Sequence, residues 1–146
     1  MTEIDFHFNA PDKVSHTCRL LRKAVVARGS RLVVTGRAQL LDAIDSALWQ
    51  MTPSDFVAHC RSDAEPHVAE RSAVLLTEST GDVLAQQRQV LVNLGDDVPA
   101  GFERFERLIE IVTSDESDRQ LARRRWRHYA DRGYALKQHD LAAERA

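Results

Sequence analysis

Glycine, cysteine and aromatic residues are scarce in this chain: six glycines, two cysteines and 6% aromatics among 146 residues. Two cysteines, Cys18 and Cys60, cannot make a disulfide scaffold, which predicts a reducing, cytoplasmic compartment. No loop carries the spaced glycines of a dinucleotide fingerprint. The turn Thr35-Gly36-Arg37-Ala38 also lacks the Gly-Lys-Ser/Thr of a phosphate loop, so nucleotide binding by either device is not expected. No apolar run approaches the ~18 residues of a membrane span, and no membrane partner is expected. Met1 to Pro11 has no basic cluster and no apolar stretch, which predicts no signal peptide. Internal repeats, low-complexity tracts and long linkers are missing as well.

A basic excess is also lacking. The net charge is −2 with histidines neutral, whereas a protein that meets nucleic acid over a broad surface usually has a basic total. The sum hides an uneven distribution. Six arginines (119, 123, 124, 125, 127, 132) face one acid, Asp131, between Arg119 and Arg132. That segment carries +5 and leaves −7 for the other 132 residues.

What is present is the composition of an ordinary globular domain, 43% hydrophobic and 29% charged. The length suits one domain over 1–146, with residues from about 138 onward expected as a frayed tail. Glu3 to Phe8 alternates polar and apolar, as a strand with one buried face does. Asn9 to Asp12 reads as a turn that caps a helix over Lys13 to Arg28, with Val14, Cys18, Leu21 and Val25 on one face and Gly29 as its stop. Leu32-Val33-Val34 predicts a strand buried on both faces. Leu40, Leu41, Ile44 and Leu48 mark a second helix ending near Trp49. Ser54 to Ala58 is a candidate strand, and His59 to Arg71 reads as an exposed loop. Ala73–Thr77, Gln89–Asn93 and Arg107–Val112 are further strands, and Gly95 to Gly101 is a turn. Ser114 to Gly133 is a helix with acids first and arginines towards its end, as the helix dipole favours. Tyr134-Ala135-Leu136 closes the series as an edge strand. The β-α-β-α opening predicts an α/β domain in which helices flank a central, mostly parallel but mixed sheet.

Sites of chemistry are sparse. Cys18 lies on the apolar face of its helix, where a core thiol is the ordinary reading. His59 and Cys60 are neighbours whose side chains point to opposite faces of a strand. With His67 they form a loose set, far weaker than paired Cys-x-x-Cys ligands. No catalytic residue, metal site or cofactor is therefore expected.

The arginine helix is the strongest feature. At about 100° per residue, Arg119, Arg123 and Arg127 fall near 0°, 40° and 80°, a single stripe. Leu121, Tyr129, Ala122 and Trp126 occupy roughly 200° to 340°, so the helix packs by one side and offers guanidiniums on the other. A solvated charged face is the ordinary reading, but such faces mix Lys, Glu and Asp, and this one is nearly all Arg. Its planar fork suits carboxylates and phosphates alike, so an acidic peptide and a nucleic-acid backbone both remain open. Arg125 falls inside the apolar arc and needs a buried partner, for which Glu110 is the candidate. Trp49 and Phe56 bracket one short turn. They complete the core, or they form an apolar patch of the kind that protein partners grip.

Taken in order, these segments resemble the chi-subunit family of bacterial DNA polymerase III. The residues that carry the resemblance are Leu41-Asp42-Ala43-Ile44-Asp45-Ser46-Ala47-Leu48-Trp49 with Phe56-Val57-Ala58-His59, then Val90-Leu91-Val92-Asn93-Leu94. Phe105 to Val112 follows, then Arg119-Gln120-Leu121-Ala122-Arg123-Arg124-Arg125-Trp126-Arg127-His128-Tyr129 with Gly133-Tyr134. The chain departs at Ala58, where the family commonly has proline. The resemblance implies a nucleotide-binding-like α/β fold without a phosphate loop. It also implies a non-catalytic adaptor of the clamp-loader assembly in DNA replication, located at the replisome.

By the same resemblance, one surface, at Trp49 and Phe56, receives the psi subunit or a repair helicase. Another takes the acidic C-terminal tail of single-stranded-DNA-binding protein, with Arg119, Arg123 and Arg127 on its carboxylates and an apolar spot near Val112 for its terminal phenylalanine. DNA would then be reached only indirectly. Two other readings stay open: a direct single-stranded nucleic-acid module using the same arginines, and a small α/β enzyme.

Overall fold

Short runs rich in valine and leucine form the middle of the protein, because strands covered on both faces have no polar side to turn to water. The computed structural model describes residues 1–50, 57–61, 72–80 and 89–142. In chain order these form β1 (Glu3–Ala10), α1 (Lys13–Arg22) with a π-helical turn (Lys23–Ala27), β2 (Leu32–Thr35) and α2 (Ala38–Trp49). Then come β3 (His59–Arg61), β4 (Val74–Thr77), β5 (Val90–Asn93), a short 3-10 turn (Phe102–Arg104), β6 (Arg107–Thr113), α3 (Glu116–Asp131) and β7 (Leu136–Asp140).

The strands make one seven-stranded sheet in the order β3-β4-β2-β5-β6-β1-β7. Among the described strands every pairing is parallel rather than mixed. Parallel neighbours need crossover connections, and the helices that supply them cover both faces. Side-chain alternation sorts the core accordingly. Leu32, Val34, Val74, Leu76, Val92, Ile109 and Ile111 pack with Cys18 and Leu21 of α1 and with Leu41, Ile44 and Leu48 of α2. Ile4, Phe6, Val33, Leu91, Leu108 and Val112 turn the other way, onto Ala122 and Tyr129 of α3 and onto Phe102 and Phe105.

Local signals set most boundaries. Asp12 caps α1 by accepting hydrogen bonds from the Val14 and Ser15 amides. Gly29, at φ +63°, ends the same segment, with its N–H on the Val25 carbonyl and the Ser30 N–H on Ala24. Three expectations need correction. Of the strand expected at Ser54–Ala58 only Val57 and Ala58 are described and neither is in a strand, whereas His59–Arg61 forms one paired with β4; residues 51–56 are outside the described set, as is His67. His59 therefore opens an edge strand and not a loop. Its polarity is tolerated because Nε2 meets Asp45 Oδ1 at 2.9 Å, while Arg61 pairs with Asp42 at 2.6 Å. The last strand begins at Leu136 and runs to Asp140, so residues 138–140 are ordered along β1 and are not part of a frayed tail. Lys137, Gln138, His139 and Asp140 carry no strand signature of their own; pairing with β1 makes them one.

Candidate functional site: the arginine face of α3

Helix α3 leaves β6 through a turn fixed by carboxylates. Asp115 caps it by accepting from the Asp118 amide. Asp118 accepts from the Thr113 amide at 2.8 Å and its hydroxyl at 3.0 Å, and pairs with Lys13 of α1 at 3.0 Å. Burial works against the Asp118 charge, yet these donors hold its carboxyl below the usual carboxylate range. At the far end Gly133, at φ +81°, lets the chain turn out of the helix.

The inward side is a polar network set in apolar packing. Arg125 is 2% exposed and Glu110 is fully buried; Arg125 Nε donates to Glu110 Oε1 at 3.0 Å, the pairing expected from the helix wheel. Tyr129 donates to Oε2 at 2.6 Å, and Asn93 Nδ2 reaches both carboxylate oxygens at 3.0 and 3.1 Å. Arg125 Nη1 donates to the Asp96 carbonyl at 2.9 Å, and Asn93 Nδ2 to that of Asp97 at 3.1 Å. Burial pushes the Glu110 carboxyl up, against the pull of Arg125, Tyr129 and Asn93, and pushes the Tyr129 hydroxyl up as well. Beside this network Phe6 meets Trp126 edge-on at 5.0 Å, and Phe102 meets Tyr129 at 5.2 Å. The helix cannot rotate without breaking the network, so its outer face is fixed.

That outer face carries Arg119, Arg123 and Arg127, all exposed, with Arg124 beside them. Arg123 meets Glu116 at 3.2 Å, an exposed pair of small worth. Arg119 and Arg127 make no ion pair among the described residues. Val112, expected near an open apolar spot, is 3% exposed and belongs to the core under α3. Its position in β6 directs it inward, so it offers no open surface. Trp49, at the end of α2, is 62% exposed and lies edge-on to His59 at 5.3 Å. Phe56, its expected companion, is outside the described residues.

The position where a phosphate loop would sit holds a different structure. Gly36 packs so close to Leu94 that an added Cβ would lie 3.1 Å from the Leu94 Cβ. Arg37 is tied to Asp96, and the neighbouring crevice of about 410 Å³ is bordered by Asp96, Asp97 and Glu78. These acids oppose a phosphate. Cys18 is buried, which pushes its thiol up and leaves it a core residue. One cluster has no local signature in the sequence: Asp5 and His7, two apart on β1, meet His139 on β7. The Asp-x-His spacing was legible, but a partner about 130 residues later was not.

Compared with known proteins, residues 1–137 match the family described as "DNA polymerase III chi subunit, HolC". The chain belongs to that family. The resemblance drawn from its segments is thereby confirmed, and the chi family is that of an accessory replication subunit of DNA polymerase III. Among chi relatives, the DNA polymerase III subunit chi of Pseudomonas aeruginosa is 29% identical over 149 residues, covering 97% of this chain and 98% of its own. That of Haemophilus influenzae is 26% identical over 118 residues, covering 80% and 79% respectively. No helix among the described residues is long and apolar enough to cross a membrane.

Proposed function

We propose that this chi-family chain is a non-catalytic adaptor. It holds the acidic C-terminal tail of single-stranded-DNA-binding protein on α3 and the psi subunit of DNA polymerase III near Trp49 and Phe56, at the cytoplasmic replisome. The observation that carries the proposal is the row of Arg119, Arg123 and Arg127, exposed and like-signed on a helix whose other side is locked by the Glu110 network. Three guanidiniums one turn apart match a peptide with several aspartates and a terminal carboxylate, since charge-assisted bonds from arginine are about twice as strong as neutral ones. The −7 carried by the remaining residues disfavours a bare nucleic-acid strand and leaves an acidic tail undisturbed only where the arginines are. With Val112 buried, that side chain is not the seat of the tail's terminal phenylalanine.

Fluorescence anisotropy with a labelled peptide of the tail tests this. Binding is expected at low salt, weakening as salt rises because the pairs lie at the surface. Arg123→Ala is expected to reduce it by about 1.5–3 kcal/mol, the range for hydrogen bonds to charged groups. Absence of binding, or an Arg123→Ala protein that binds as well as wild type, would overturn the tail assignment. Affinity for single-stranded DNA alone with a steep salt slope would favour direct nucleic-acid binding instead.

A further inference from the structure

On the face of the sheet opposite α3, beside α1, a cleft of about 1130 Å³ is bordered by Asp5, His7, His16 and His139. Parallel pairing places His7 directly against His139, and the period of two brings Asp5 to the same face. One ligand atom from each of Asp5, His7 and His139 lies within 4.8 Å of the other two. The His7 and His139 rings sit 4.8 Å apart, and His139 Nε2 is 3.8 Å from Asp5 Oδ2. Arg107 Nε approaches that same oxygen at 3.8 Å, whereas Oδ1 of this buried carboxylate has no hydrogen-bond partner among the described residues. A buried carboxylate oxygen with no donor is costly, and a cation at the mouth of the cleft would satisfy it.

We propose that Asp5, His7 and His139 form a binding site for a divalent cation of the zinc class, with its remaining coordination position open to the cleft. The donor set is the nitrogen and oxygen chemistry that zinc accepts. Tetrahedral arms of about 2.0–2.1 Å place donors about 3.4 Å apart, so the site closes by small side-chain rotations. His16 is a positioning residue: its Nε2 lies 3.1 Å from His7 Nδ1, which leaves the other His7 nitrogen for the metal. Because His139 belongs to the last strand, the cation would tie β7 to β1 across the edge of the sheet.

Titration calorimetry of the metal-stripped full chain with zinc chloride tests the site, alongside absorption spectra of the cobalt-loaded protein. One equivalent of zinc is expected, with cobalt bands typical of nitrogen and oxygen ligands and no thiolate charge transfer. His7→Asn and His139→Asn are each expected to weaken zinc binding by more than about tenfold, and His16→Ala by about tenfold. His139 is half-exposed on an edge strand, so its variant should keep the wild-type circular dichroism, and zinc should no longer raise its thermal midpoint. No zinc uptake by wild type, equal uptake by His139→Asn, or a thiolate signature removed by Cys60→Ser would overturn the proposal.

Discussion

At Arg125 a guanidinium that is 2% exposed pairs through Nε with Glu110, whose carboxylate also accepts from Tyr129 and Asn93. Removing one member strands the others, which is worse than never having buried them. Arg125→Ala is therefore expected to cost about 3–5 kcal/mol of stability by urea unfolding. A loss below about 1 kcal/mol would show that water or a rearranged Asp96 turn replaces the guanidinium. Half of this network was legible in advance. Arg125 falls in the apolar arc of α3, and Glu110 is the lone charge in Leu-Ile-Glu-Ile-Val, so each needed the other. Asn93 and Tyr129 were not legible as members, because an amide ending a strand and a tyrosine on a helix have many ordinary uses.

For whole elements, the placement of α3 depends on its first turn. Asp118 joins Thr113 at the end of β6 to Lys13 at the start of α1. Its carboxyl titrates below the unfolded value, so its contribution is complete above the unfolded pKa of about 3.9 and disappears as pH falls through the folded one. Asp118→Asn is expected to lower stability by about 1–3 kcal/mol at pH 7 and to leave the variant less sensitive to acid between pH ~5 and ~2, measured by thermal unfolding across that range. Parallel acid sensitivity of variant and wild type would assign the acid transition to other groups. The same scale explains which boundaries the sequence pattern does not mark. α1, α2 and α3 have apolar stripes, and α1 and α3 also side-chain caps, that act locally, whereas β3 and β7 are made mostly of polar residues recruited by their neighbours β4 and β1. Edge strands commonly carry such charges, and a periodicity argument passes over them.

Across the whole molecule, α2 and α3 lie on opposite faces of one sheet, so Trp49 and the arginine row sit on separate elements with the core between them. Changes at one are expected to add to changes at the other without coupling. Trp49→Ala should therefore leave tail-peptide affinity unchanged within about twofold while reducing co-purification of the psi subunit. Loss of both would make Trp49 a structural residue despite its 62% exposure. The sequence by itself determined the α/β class, the helix caps, the buried central strands and the arginine row, because capping, periodicity and charge clustering act over a few neighbouring residues. Only the tertiary structure decided the strand order, the inward aim of Val112, the ring around Glu110 and the meeting of Asp5, His7 and His139. Those depend on contacts between residues far apart in the chain, which parallel pairing brings into register and no local pattern announces.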